Sequence, residues 1–254
     1  MSISQESVSA ASDLVRHEWL QRVEAEYRSS VITQHLTLWM TQAGVTPDLI
    51  HDGLRIAADE LDHADLSMQV HLAAGGTGVP LLARETLTMA TRPGEPLEFA
   101  IVRVGVDVFC LGETVAVPLF KNLREGCEVE VARVALDRIL KDEVRHRDFG
   151  WDLLEWMLEG PSHREVRALV ERELPQWFAR IRGSYAPAFT RDKTEIDDQD
   201  RRWGLMAPAQ YAAVVERTWE RDWRPRFARL GIATETAWAD SAPPETVATT
   251  PESP

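Results

Sequence analysis

Two stretches of this chain repeat one chemical pattern. "AADELDHADL" and "KDEVRHRDFG" each set a glutamate three residues before a histidine. The pairs are Glu60 with His63 and Glu143 with His146, and each glutamate directly follows an aspartate, Asp59 or Asp142. On a helix, residues i and i+3 share one face about a turn apart, so a carboxylate and an imidazole can reach one cation from the same helix. A single pair means little in a chain with 7 His and 41 acidic residues. A second pair matters, because a dinuclear site between four helices needs two such pairs and one further glutamate from each remaining helix.

The pattern of apolar residues supplies those helices. From Asp13 to about Ala43, Leu14, Leu20, Val23, Val31, Leu38 and Trp39 recur at helical spacing, and Gly44 and Pro47 end the run. A second helix, capped by Thr46 or Asp48, runs from about Pro47 to Ala73 and stops at "AAGGTG". Residues 75–96 are rich in Gly, Thr and Pro; antiparallel neighbours need far fewer linking residues, so this length predicts a crossover along a bundle. The third helix, about Leu97 to Arg124, is nearly all apolar in its middle turns and reads as buried, with Asp107 and Glu113 as its acidic interruptions. A fourth spans about Glu128 to Leu158 and ends at "EGP".

Beyond the fourth helix, Ser162 and Glu165 have the spacing of a capping box and open a fifth helix in which Pro175 predicts a kink. The charged stretch "RDKTEIDDQDRR" separates it from a last helix around Ala207 to Leu230, rich in Trp and Arg. The resulting division is a flexible N-terminus over 1–12, a four-helix bundle over 13–160, a helical extension packed on it over 161–232, and a tail over 233–254. That tail contains no Lys or Arg and is expected to be disordered.

Helix three offers Glu113 among apolar neighbours, where an unpaired carboxylate would cost several kcal/mol. Helix one offers Glu18, Glu24 and Glu26. Glu113 precedes Glu143 by 30 residues and Glu26 precedes Glu60 by 34, a similar spacing in both halves, although Glu24 also fits by spacing alone. Ser30, Thr33 and Thr37 continue the face of Glu26 with small side chains and are expected to leave room for a cluster and a ligand, which favours Glu26. Cys110 either lines the same pocket or is a small buried hydrophobe. Asp59 and Asp142 either accept the second N–H of a metal-bound imidazole from the opposite helix or solvate a helix surface. Tyr27 is either a proton or radical relay beside Glu26 or an ordinary packed side chain. His17, His35 and His71 lack a partner at ligand spacing and read as surface or packing residues. Arg145 and Arg147 are expected to point away from the metals, and the tryptophans of the later helices to pack the core.

A net charge of -13 repels nucleic acid and anionic membrane surfaces, so neither is expected as a partner. No run approaches the ~20 apolar residues of a membrane span. The first residues lack the basic and apolar regions of a signal peptide, and Cys110 and Cys127 are too few for a disulfide framework, so a cytoplasmic location is expected.

The order Glu26, then Glu60 and His63, then Glu113, then Glu143 and His146 resembles the ferritin-like diiron carboxylate superfamily over residues 13 to 160, and is most similar to bacterial ferritin-like domain proteins with "ADExxHA" and "GETVA" type segments. The resemblance implies an all-α fold, a ferritin-like four-helix bundle with a long crossover between helices two and three and two additional C-terminal helices. It implies that Glu60 and Glu143 bridge two metals, with Glu26 and His63 completing one ion and Glu113 and His146 the other. The implied cofactors are two iron ions, with manganese or a mixed Mn/Fe pair as alternatives, since oxygen and imidazole ligands suit these metals. No catalytic residue is implied beyond the metal centre. The expected activity is that of a non-haem diiron oxidase or oxygenase, whose partners are dioxygen and a small-molecule substrate that is hydroxylated or N-oxygenated; an external electron donor and a homodimer are admitted. The alternatives are ferroxidase or iron-handling activity, peroxide removal in the manner of a manganese catalase, and a metal-stabilised scaffold without catalysis.

Overall fold

Ser12 starts the first helix by accepting a hydrogen bond from the Val15 N–H, one of the amides a helix start leaves unpaired. In the computed structural model, which describes residues 11–185 and 196–242, α1 (Asp13–Gln42) runs from this cap to Gly44. Gly44 takes a positive φ of 72° that lets the chain reverse into α2 (Pro47–Ala73), with Pro47 in the first turn, where its missing N–H costs nothing. Thr46 holds the cap position without a side-chain hydrogen bond. After Gly75 the chain crosses over in irregular backbone with one 3-10 turn (Arg84–Leu87).

Residues 97–125 form one continuous helical rod in three parts: α3 (Leu97–Val104), a π-helical segment (Gly105–Glu113) and α4 (Thr114–Glu125). The rod is buried through its centre, as its apolar middle turns predict, but the π segment was not legible in its periodicity. After α5 (Glu130–Glu159) comes α6 (His163–Ser184), which continues through Pro175. The expected capping box is absent, because Ser162 makes no side-chain bond to the helix start.

α1 packs along α2, α2 along α5, and α5 along the π segment and α4, while α3 returns against α1. The first four long helical segments therefore enclose a common interior. The described residues form helices only, and none of these helices is long and apolar enough to cross a membrane.

Further helices cover this arrangement: α7 (Asp198–Arg202), α8 (Pro208–Thr218), a π turn (Trp219–Trp223), α9 (Arg224–Arg229) and α10 (Glu235–Asp240). α8 to α9 form the expected last helix, so the two C-terminal helices of the sequence reading, α6 and this one, are joined by the short α7 and α10. α7 docks where Ser12 Oγ donates to Asp200 Oδ1 at 2.6 Å and the Trp19 indole N–H to the Trp203 carbonyl at 3.0 Å. Ala11 is buried and Ser12 is engaged, so the N-terminus is ordered two residues earlier than expected; residues 1–10 lie outside the described residues.

The expectation of a disordered tail from 233 is corrected by α10. Its Trp238 stacks on Trp219 with centroids 4.7 Å apart and meets Phe178 edge-on at 5.1 Å, while the Arg182 guanidinium carbon lies 4.3 Å from its ring centroid. Aromatic burial outweighs the polar composition of that stretch. Residues 243–254 of the proposed tail, and 191–195 of the charged separator, lie outside the described residues.

Candidate metal centre

Four helical segments bring six side chains to one buried point: Glu26 from α1, Glu60 and His63 from α2, Glu113 from the end of the π segment, and Glu143 and His146 from α5. All six are buried, both histidines completely. Ligand atoms of Glu26, Glu60 and His63 lie within 4.8 Å of one another, and so do those of Glu60, Glu113 and His146. Glu60 belongs to both groups.

The distances suit cations between the side chains. His63 Nδ1 lies 3.6 Å from Glu60 Oε2 and 3.9 Å from both Glu26 Oε2 and Glu143 Oε1. His146 Nδ1 lies 3.4 Å from Glu60 Oε1 and 3.6 Å from Glu143 Oε2. Donor atoms about 2.1 Å from one ion stand about 3 Å apart at right angles and about 4 Å apart when opposed. Glu60 and Glu143 each face both imidazoles. Glu60 Oε2, Glu143 Oε2, His63 Nδ1 and His146 Nδ1 are buried and lack hydrogen-bond partners. Four such atoms converging on one point would be costly in a protein interior, and a cation supplies the partner that each lacks.

The outer nitrogens of the two rings fix their orientation. His63 Nε2 lies 3.3 Å from Asp142 Oδ2 and His146 Nε2 lies 3.4 Å from Asp59 Oδ2, so each aspartate serves the histidine of the opposite helix. An Nε2–H donating to carboxylate leaves the Nδ1 lone pair facing the cluster. Arg145 ion-pairs with Asp59 and lies 3.4 Å from Asp142, and Arg138 bonds Asp142 at 2.5 Å, so both aspartates are neutralised from the outside. Burial opposes ionisation of Asp59 and Asp142, but contacts with His146 and Arg145 for the first, and with Arg138 and His63 for the second, hold both below the usual carboxylate range.

Burial and the neighbouring charges set which groups of the cluster favour their protonated forms. Burial, reinforced by Glu60, raises Glu26 well above the ordinary carboxylate value, and burial reinforced by Glu143 does the same to Glu113. Burial also raises Glu143. Burial would raise Glu60 too, but the close approach of His146 and His63 outweighs it and lowers that group. Burial opposes charge on His146, yet its contacts with Asp59, Glu143 and Glu60 raise it far above an ordinary imidazole. Two divalent ions would replace these protons with the charge that four carboxylates require.

The π segment decides how Glu113 arrives. Its wider turn ends at Glu113, and such insertions gather at functional sites. Gly150 of α5 lies against it so closely that a Cβ there would fall 2.5 Å from Phe109 Cβ and 2.7 Å from the Phe109 carbonyl carbon.

A cavity of about 700 Å³ opens beside the cluster, and Glu26, Glu60, Glu113 and Glu143 form part of its wall. The small residues expected to shape it do not line it. Ser30 Oγ donates to the Ala57 carbonyl, Thr33 and Thr37 donate to carbonyls one turn back in α1, and Thr37 Oγ1 would lie 2.5 Å from a Cβ at Gly53. These three close α1 onto α2, because they occupy the side of Glu26 that faces away from the opening. Cys110 is buried with its thiol on the Gly150 carbonyl at 3.2 Å, a packing residue and not a pocket residue, and burial pushes its pKa up.

Ser29, on the other flank of Glu26, lines the cavity and donates to Glu60 Oε1 at 3.0 Å. Its spacing of three from Glu26 was the available signal. Tyr27, read as either a relay or an ordinary packed side chain, is 38% exposed and does not line the cavity. The tyrosine at the cavity is Tyr185, at the end of α6, which no periodicity singled out. Burial first, then the nearby Tyr211 and the charges of Glu113 and Glu143, raise its phenol above the ordinary tyrosine value. His71, expected as a surface or packing residue, is buried and bonded through Nδ1 to the Arg16 carbonyl at 2.8 Å.

Fold and site together define an all-helical protein with a buried carboxylate and histidine cluster able to hold metal. Comparisons of the chain with protein-family models, with curated proteins and with solved structures returned no match.

Proposed function

We propose that the protein is a ferritin-like, non-haem diiron oxidase or oxygenase that uses dioxygen to oxidise a small organic substrate. The observation that carries this reading is the cavity: the six side chains of the cluster are buried, yet its four carboxylates form part of the wall of a space large enough for a small molecule. A centre that served only to stabilise a bundle would need no such space. When bound, two ferrous ions would supply the electrons that reduce dioxygen.

The chain's own residues then have definable roles. Asp59 and Asp142 hold the imidazole N–H groups and so keep Nδ1 directed inward. Val108, Ala116 and Phe120 give one part of the otherwise polar cavity an apolar surface against which an organic substrate would pack. Tyr185 shares the cavity lining with Glu113 and Glu143, and burial keeps its phenol protonated, so it would offer an O–H to a bound molecule. A second reading, oxidation and handling of iron itself, is favoured by Glu18 and Glu24 in the cavity lining, which would draw cations inward.

Anaerobic loading with ferrous iron, followed by metal analysis, tests the site. Wild type should hold two ions per chain, and Glu60→Ala, Glu113→Ala and His146→Ala should hold fewer. A wild type that binds no more than one ion, or variants that keep both, would refute the assignment. Oxygen consumption that produces an oxidised organic molecule supports the first reading, catalytic mineralisation of excess iron supports the second, and metal binding without redox turnover leaves a scaffold.

A further inference from the structure

Two arginines, Arg22 and Arg28, line the cavity, and the surroundings of Arg22 are not explained by the metal site. Arg22, one turn before Glu26 on α1, lines the space, and its guanidinium carbon lies 4.3 Å from the Trp19 ring centroid and 5.3 Å from that of Phe120. Its Nη1 is buried and has no hydrogen-bond partner. Glu18 and Glu26 flank it at a spacing of four, the usual distance for a helical ion pair, yet Arg22 forms no ion pair with any described carboxylate. A buried guanidinium N–H left unpaired among so many carboxylates is a donor kept for something else. The two aromatic rings hold the planar head in place while its edge stays available.

We propose that Arg22 anchors the carboxylate of an organic substrate whose apolar body lies along Val108, Gly112, Ala116 and Phe120, toward Glu26 and Glu113. A guanidinium matches a carboxylate with two parallel N–H donors, and the apolar wall matches a hydrocarbon or aromatic body. A monoanion fits this cavity better than a phosphate, because Glu18 and Glu24 share the lining and would repel a second negative charge more strongly. Gly112 leaves the wall open: the nearest atom to a Cβ there is the Asp107 carbonyl oxygen at 3.7 Å, so a larger side chain would grow into the space without displacing the helix. The assignment rests on the proposed function in taking the cavity's occupant as the molecule oxidised.

Calorimetric titration of metal-loaded protein with hexanoate and phenylacetate, against their neutral amides and phenyl phosphate, tests the anchor, with metal content measured on every sample. Wild type should bind the carboxylates about tenfold or more tighter than the amides and tighter than the phosphate. Arg22→Gln should lose that preference at unchanged metal content, Arg22→Lys should keep part of it, and Gly112→Leu should weaken acid and amide alike. Equal binding of acid and amide, absence of binding by both acids, or a preference that survives Arg22→Gln would overturn the proposal, the last because the carboxylate would then sit on the metals or on Arg28. A protein that takes up no metal but shows the Arg22-dependent preference would refute the dinuclear reading and uphold the anchor.

Discussion

Replacing Gly150 by alanine should destabilise the protein, although the same change in an ordinary helix interior stabilises it. The added Cβ would stand 2.5 Å from Phe109 Cβ, 2.7 Å from the Phe109 carbonyl carbon and 2.8 Å from the Cys110 nitrogen. Two of these are backbone atoms of the π segment and cannot rotate away. Restoring ordinary carbon contacts of about 3.5–4.0 Å requires the two backbones to part by about 1 Å. Overpacking costs about 1–3 kcal/mol, and a clash with backbone atoms that cannot rotate away belongs in the upper half, about 2–3 kcal/mol; against a gain of about 1 kcal/mol in helix propensity this leaves a loss of about 1–2 kcal/mol. For a chain of this size the melting temperature should fall by roughly 2–8 °C. The separation also carries Glu113, which ends the π segment, away from Glu143, and metal ligation tolerates only about 0.2 Å. Thermal unfolding followed by circular dichroism, with metal analysis of the same samples, reads both effects. Gly112→Ala is the control: its Cβ meets nothing nearer than 3.7 Å, and it should leave the melting temperature unchanged or slightly raised. An unchanged or higher melting temperature for Gly150→Ala, or a lower one at full metal content, would refute the claim that this contact sets Glu113.

Asp59→Asn and Asp142→Asn should each weaken metal binding by about 10–100-fold in a chelator competition, because the carboxylate that orients an imidazole is lost while the ligands remain. Arg103 joins Glu95 and Glu173, tying the crossover to α6, and holds both carboxyls below their usual values. Groups depressed in this way stabilise the fold above their unfolded pKa, and that stability is lost as pH falls through their folded values. Arg103→Gln should therefore lower the melting temperature most near neutral pH and converge with wild type in acid; a constant offset would contradict this. Trp238→Ala should cost about 2–3 kcal/mol, since it removes the stack on Trp219 and the edge contact with Phe178; a melting temperature within 1–2 °C of wild type would mean that α10 is not docked as described.

Much of the helical plan follows from local rules. The bounds of α1 and α2 lie at Gly44, Pro47 and Gly75, residues whose backbone preferences act without tertiary help. Two features escaped those rules. The π segment has the same apolar composition as an α-helix, and no periodicity marks it; its close approach to Gly150 is visible only in the folded chain. Helix α10 lies in a stretch whose composition suggests disorder, and it is ordered by aromatic rings supplied from α6 and the π turn far away in the chain.

The sequence by itself determined the six ligand candidates, because their spacing on four helices is a property of helical geometry and of residue type. It also determined that Asp59 and Asp142 precede the ligand glutamates, which places them where the opposite helix's histidine can reach. Tertiary packing alone decided which side of Glu26 is open. Ser30, Thr33 and Thr37 meet α2 and close the helix pair, whereas Arg22 and Ser29 on the other flank border the cavity. Periodicity gives a helix face its direction, but whether that face meets another helix or an open space depends on how the neighbouring helices are arranged, and that arrangement is a property of the whole fold.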